Sequence, residues 1–406
     1  MTEETLQQAR AQAAERAAIL PTKRDEYWRY TDPRDLVSAE VAKAAVFDDG
    51  GETPIFDTVD SLKIVFNDGV FDAAASGDLA MAGIELSRLA DGLPAWADEI
   101  YGALEKDGQT PVKRPLAALN TASATDGVLI RVTGKAEKPV ELIYHHKSEV
   151  SDPILHHCIK LEAGAELTLL ESGPAGARFN NVLEVDLGAT SRFHHIRTQG
   201  RDQERRAITH IFARVASEAL FKSFTLTANG ALTRNECVID IVGSDAFAHV
   251  AGAALGDGLK DPFHHDDTIF ITHRGERCES RQVFKKVLKN GATGVFQGKI
   301  LVTQGAQKTD GYQISQSLLL DDNAQFLAKP ELEIYADDVK CSHGSTTGAI
   351  DETALFYLRS RGVPMEEARA LLVLSFLADA LEEIEEESLR DLIAERLEAW
   401  LNRHKS

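Results

Sequence analysis

The residues of this chain best placed to do chemistry are Cys341 and His343, two positions apart in the segment KPELEIYADDVKCSHGSTTG, Lys329 to Gly348. A strand predicted over Leu332 to Val339 would deliver both side chains to the same side, at a strand end or a tight turn released by Gly344. Thiolate and imidazole suit iron, zinc or an iron–sulfur cluster, yet two ligands leave coordination incomplete. On spacing alone, a buried cysteine beside a hydrogen-bonded histidine is the favoured account of the pair.

Histidines also occur in adjacent pairs, His145-His146, His156-His157, His194-His195 and His264-His265, the last followed by Asp266-Asp267. Neighbours on a strand point to opposite faces, so only His264 with Asp266, or His265 with Asp267, can share one. Together with His273 these form the best metal constellation of the central region, with ladder-stacked polar residues as the competing account. Asp266-Asp267 and Asp337-Asp338 would be the acids of a β-helix carbohydrate-active enzyme, if they converged. The segment GATGVFQGKI, Gly291 to Ile300, imitates a phosphate loop, but its glycine spacing is short and Lys299 is followed by Ile300 rather than Ser or Thr. A turn is expected there, and no nucleotide on this chain itself.

Positioning such residues falls to a chain of 406 residues that divides into three styles. Residues 1–111 read as a mostly helical region, opened by a helix that Pro21 closes. Residues 112–348 are short runs rich in Val, Ile, Thr and Leu, such as VLIRVTG, AELTLLES and GVFQGKILVT, separated by Gly, Asn and Asp turns. Gly-Ala turns recur at Gly164, Gly188, Gly230 and Gly291, at spacings that suit stacked coils of about 20 to 30 residues; a jelly roll or double sandwich is the alternative. Residues 349–406 read as helices: Asp351 as N-cap, Gly362 as stop, a helix from Pro364 to Ile384, and a third beginning at Ser388 with the apolar stripe Leu389, Leu392, Ile393, Leu397, Trp400 and Leu401. EEIEEE, Glu382 to Glu387, reads as a solvated face or a dock for a basic partner surface.

Composition narrows the function. A net charge of −20 without a basic patch argues against nucleic acid and anionic membranes. Cys158, Cys237, Cys278 and Cys341 form no CxxC pair, so metal chemistry at Cys341 and His343 would need a partner's ligands. The N-terminal residues lack an apolar core, and the longest apolar run, Ala370 to Ala378, is too short for a bilayer. A soluble, cytoplasmic protein is expected.

The segment KPELEIYADDVKCSHGSTTGAIDETALFYLRSRGV resembles the C-terminal signature of the SufB/SufD family of iron–sulfur cluster assembly proteins. GVFQGKILVTQGAQKTDGYQISQSLLL is similar to the family's preceding core pattern, PLAALNTASATDGVLIRV to the opening of its β-helix, and LPTKRDEYWRYTDPRDL to a SufD-type N-terminal motif. The resemblance implies a mainly β fold: a right-handed parallel β-helix core flanked by N-terminal and C-terminal helical domains. It also implies a non-catalytic scaffold that pairs with a SufB-type subunit through the core and receives a SufC-type ATPase on the C-terminal helices. A transient iron–sulfur cluster would be shared with SufB, His343 being the implied cluster or iron ligand and Cys341 its second. A homodimer through an exposed core strand edge is the alternative pairing.

Overall fold

The computed structural model describes residues 3–46, 53–199, 204–259 and 262–403. It is mainly β, with 41% strand and 22% helix, and its core is a parallel β-solenoid of about seven turns. Each coil gives one strand to each of two sheets. The first sheet contains β1 (Leu62–Asn67), β2 (Val70–Phe71), β5 (Val140–His145), β7 (Glu166–Ser172), β9 (Arg192–Gln199), β11 (Leu220–Ala228), β13 (Phe247–Asp257), β15 (Glu279–Lys289), β17 (Asp310–Leu319) and β19 (Lys340–Gly348). The second contains β3 (Ile84–Arg88), β4 (Val128–Val132), β6 (Ile154–Leu161), β8 (Arg178–Leu187), β10 (Arg206–Val215), β12 (Leu232–Ile241), β14 (His264–His273), β16 (Thr293–Val302) and β18 (Gln325–Ile334). Among the described residues only the pairs β1–β2 and β3–β4 are antiparallel, and both lie at the N-terminal end, which excludes a jelly roll or sandwich. Arg178, Arg206, Leu232, His264, Thr293 and Gln325 align in register, so a coil takes 26 to 32 residues.

Two sequence expectations need correction. The first 111 residues are not helical throughout: β1 pairs in parallel with β5, so the solenoid begins at Leu62. Nor does one strand run over Leu332 to Val339. β18 ends at Ile334, the chain turns, and β19 begins at Lys340, which places Gly344 inside a strand rather than at a turn. Asp337 and Asp338 occupy that exposed turn.

Strand alternation sends one set of side chains into the solenoid and the other outward. Inside, Leu183, Ile211, Cys237 and Ile269 pack with Phe193 and Phe221. The same interior holds a polar knot. Lys286 Nζ donates to Asp267 (2.7 Å) and to His265 Nδ1 (2.8 Å), and Asn235 Nδ2 donates to Asp267 (3.0 Å). Burial pushes the His265 pKa down to about 3, so its ring is neutral and can accept the lysine proton.

Each sheet's outer face is covered by its own chain. Helices α1 (Glu3–Ala17), α2 (Arg34–Val37), α3 (Ala103–Asp107) and α4 (Pro115–Ser123), with the segment Glu26–Thr31 before α2, lie on the N-terminal side. Leu116 and Trp28 pack there on Ile208 and Leu232 of the second sheet. Arg234 is sandwiched: its guanidinium stacks on Trp28 at 4.1 Å, pairs with Glu236 and Asp266 (2.7 and 2.5 Å), and donates to the Tyr27 carbonyl (2.9 Å). The first sheet is covered by α6 (Met365–Leu381) and α7 (Glu387–Arg403), which follow α5 (Glu352–Ser360). Asp351 caps α5 through the N–H groups of Thr353 and Ala354, as the sequence indicates. Ser388, by contrast, lies within the first turn of α7 and donates its hydroxyl to Glu386.

The apolar stripe of α7 faces inward. Leu389, Ile393, Leu397 and Trp400 join Val373 and Leu377 of α6 against Phe224, Leu226 and Val283 of the first sheet. Burying such side chains contributes about 1.5–3 kcal/mol each. Two acids of the acidic run likewise find bases within the chain, Glu383 pairing with His249 and Arg281 (3.2 and 3.1 Å) and Glu385 with Lys222 (3.0 Å), while Glu382, Glu386 and Glu387 stay exposed.

Two stability measurements check this account. Lys286→Met leaves Asp267 as an unpaired buried charge and is expected to lower stability by about 3–5 kcal/mol in urea, most of it restored by adding Asp267→Leu. At Glu383, burial alone would raise the pKa, but hydrogen bonds and charge from His249 and Arg281 hold it at about 2, below its ordinary 4.5. A depressed carboxylate stabilises the fold above the unfolded value and loses that contribution as pH falls toward the folded one. Glu383→Gln is therefore expected to be less stable than the parent above about pH 5, with the difference vanishing toward about pH 2 in a pH series of unfolding curves.

Candidate functional site

β17 and β19 are in register, Gly311 opposite Cys341 and Gln313 opposite His343. Cys341 packs with Ile300, Val302 and Ala306, which places it on the inward face of the last coil; His343, two residues on, shares that face. A Cβ on Gly311 would stand 3.2 Å from Cys341 Sγ, so the glycine keeps the rung beneath the sulfur open. Cys341 is half-buried and burial raises its thiol pKa, leaving it protonated at neutral pH, whereas His343 is exposed. The row continues through Ser345, whose hydroxyl meets that of Ser315 at 3.0 Å.

β19 and β18 are the terminal strands of their sheets, each with a single strand neighbour. At the other end of the solenoid, β2 and β3 turn antiparallel and close the stack. Among the described residues nothing continues the ladder beyond β18 and β19. The Cys341 and His343 row therefore stands on the inward surface of an uncapped coil, beside unpaired backbone groups.

The other sequence candidates do not gather there. His264 and Asp266 share the outer face, and both meet the Thr31 hydroxyl (2.9 and 2.5 Å). His265 and Asp267 share the inner face and serve the Lys286 knot. His273 sits at the far end of β14, bonded to Ser280 (2.8 Å), so the expected constellation of His264, Asp266 and His273 does not form. Asp266 and Asp267 are buried, point to opposite faces and are each neutralised by a cation, while Asp337 and Asp338 are exposed in a separate turn; these acids make no convergent glycosidase pair. Gly298 and Lys299 lie in mid-strand in β16, where Lys299 pairs with Glu333 (2.6 Å), so no phosphate-cradling loop exists at that segment.

One cluster that the sequence reading passed over is His156, Cys158 and Glu184, buried with ligand atoms within 4.8 Å of one another. The i, i+2 spacing of His156 and Cys158 in HHCIKLEAG was the available signal, but Glu184 comes from the next coil. Its carboxylate accepts the N–H groups of Gly102 and Glu105 (2.7 Å each), which open α3, and His156 Nε2–H (2.8 Å). Burial and the Glu184 charge push the Cys158 thiol well up. Protons and a helix N-terminus already occupy this carboxylate, so the cluster fastens α3 to the solenoid.

Residues 145–376 match the family described as SUF system FeS cluster assembly, SufBD core domain. The Iron-sulfur cluster assembly protein SufD of Escherichia coli K12 is 29% identical over 394 residues, covering 93% of this chain and 88% of that one. A SufBD-family iron–sulfur cluster assembly protein of Synechocystis is 27% identical, with 91% and 85% covered, and the SufD of Bacillus subtilis 168 is 27% identical, with 72% and 68% covered. No described helix is long and apolar enough to cross a membrane. With a match over more than half its length and the solenoid in place, this chain belongs to the SufBD family of iron–sulfur cluster assembly proteins.

Proposed function

We propose that this chain is a non-catalytic scaffold subunit of the iron–sulfur cluster assembly machinery. Its uncapped solenoid end pairs with a SufB-type partner, and His343 offers an imidazole to iron or a nascent cluster at that junction. The observation that carries this reading is the place of His343: exposed on the inward face of the terminal strand, where a partner coil continuing the ladder would sit directly over it. The cluster is cargo in this scheme, and the remaining ligands come from the partner. Cys341 ranks second, because its half-buried, protonated thiol must lose a proton before it can bind metal. Pairing of two copies through the same edges is the competing assembly.

The C-terminal module would receive a SufC-type ATPase, by a different surface from the one its amphipathicity suggests. The α7 stripe is spent on the chain's own first sheet, and so are Glu383 and Glu385 of the linker. The large apolar side chains left exposed on the module are Phe356 and Tyr357 of α5 and Leu371 of α6. Exposed aromatics of this kind are what interfaces favour. Deleting the helices would strip the apolar face of the first sheet, so substitutions on α5 are the cleaner test.

Two outcomes are expected. His343→Ala should leave folding and partner pairing unchanged and lower cluster yield on the complete complex by at least tenfold, read by absorbance and bound iron; an unchanged yield sinks the ligand role. Phe356→Ala with Tyr357→Ala should weaken ATPase co-purification by at least tenfold in dissociation constant while SufB pairing persists. Retained ATPase binding by that double variant places the dock elsewhere.

A further inference from the structure

His343 does not stand on an empty rung. Its register partner on β17 is Gln313, whose own partner on β15 is Gln282, so the three side chains form one inward-facing column, with neighbouring rungs about 4.8 Å apart. Gln313 and Gln282 are fully buried. Gln313 Nε2 donates to Gln282 Oε1 at 2.9 Å, which leaves Gln313 Oε1 at one end of the pair and Gln282 Nε2 at the other buried without a hydrogen-bond partner. The opposite wall is cut away to admit this amide: a Cβ on Gly298 would come within 2.3 Å of Gln313 Nε2. A buried acceptor left open is destabilising, so a column of this kind persists where something completes it.

We propose that Gln313 is a positioning residue for His343: its Oε1 accepts a hydrogen bond from the imidazole N–H and directs the other ring nitrogen, as a lone pair, out of the solenoid end toward the metal. The amide column is a two-rung ladder, and His343 supplies its third donor. Metal-bound histidines commonly hold their second ring nitrogen on a carbonyl or carboxylate in this way, which sets the tautomer and raises ligand basicity. Gln313 touches neither metal nor cluster. Its effect passes through the orientation of one ring, and the assignment rests on the proposal that His343 is a ligand.

The test uses the full chain paired with its SufB-type partner, which supplies the remaining ligands, with Co²⁺ alone as probe, read by its ligand-field absorption, and histidine ¹⁵N NMR for the His343 tautomer. Gln313→Leu is expected to weaken Co²⁺ binding by 10- to 100-fold, the range that loss of such an outer partner produces. It should also convert one defined tautomer into a mixture. Gln313→Glu, which keeps an acceptor toward His343, should restore the single tautomer and most of the affinity. Gly298→Ala, which crowds the amide without altering it, should reproduce the leucine phenotype. Gln282→Leu controls for core damage and should change the tautomer less than Gln313→Leu at similar thermal stability. If His343→Ala itself leaves Co²⁺ binding unchanged, the ligand reading fails and this inference with it. If His343→Ala abolishes binding while Gln313→Leu keeps both affinity and tautomer, His343 remains a ligand and Gln313 is a core residue only.

Discussion

Parallel pairing in register is the constraint from which the rest of this molecule follows. Each strand satisfies its backbone only through the coil before and the coil after it, so the stack must be closed at its ends or left with unpaired N–H and C=O groups. The chain closes one end itself by reversing direction, with β2 folding back on β1 and β3 running antiparallel to β4. At the other end β18 and β19 have one neighbour each. Register also aligns side chains between coils, so that what stands at one rung is in contact with its equivalents above and below. That turns a linear sequence into columns: Gln282, Gln313 and His343 in one, Ser280, Gly311 and Cys341 in the next. The chemistry at the open end is therefore set by residues some thirty and sixty positions upstream.

Covering the outer faces is the second requirement, and it decides what surface remains for partners. The solenoid walls are apolar on the outside as well as the inside, which a free β-helix would expose. α6 and α7 seal one wall with leucines, Ile393 and Trp400, and the acidic linker locks on to His249, Arg281 and Lys222. An amphipathic helix and a block of like charge each look in sequence like a docking device. Here the apolar stripe is internal, because it has a nearer apolar wall, and Glu383 and Glu385 of the acidic run have nearer bases. Local pattern reports that a face must be covered; it carries no information on whether the cover is the same chain.

The same distinction separates what the sequence disclosed from what it withheld. Short β-rich runs with Gly-Ala turns gave the stacked coils, and the alternation rule correctly divided His264 from His265 and Asp266 from Asp267. The spacing of Cys341 and His343 put them on one face, as two residues on one strand must be. The break at Ile334 escaped, because the turn contains neither Gly nor Pro, although Asp337-Asp338, poor strand formers common in turns, marked it. β1 escaped for a related reason: SLKIVFN joins a sheet whose parallel members begin more than seventy residues later, and no local signal reports a partner that distant. Gln313 and Glu184 were invisible as well, since glutamine and glutamate in mid-strand are unremarkable until register supplies His343 to the one and the α3 amides to the other.

Register also explains why two motifs at opposite ends of the chain belong together. The N-terminal segment around Tyr27 and Trp28 crosses the outer face of the second sheet and is held by successive coils: Arg234 of β12, Asp266 of β14, Gln297 of β16 and the edge strand β18. On β18 the Tyr27 hydroxyl meets Glu331 at 2.5 Å, while the Lys329 ammonium lies 4.0 Å from the Tyr27 ring and pairs with Glu26 at 2.5 Å. These contacts join residues about three hundred positions apart. A terminal strand paired on one side only loses half the backbone support of an interior one, and β18 recovers part of it from this strap. The DEYWRYT segment and the CSHG segment are thus two parts of one device, the first steadying the last coil from outside and the second presenting its inward face to whatever completes the stack.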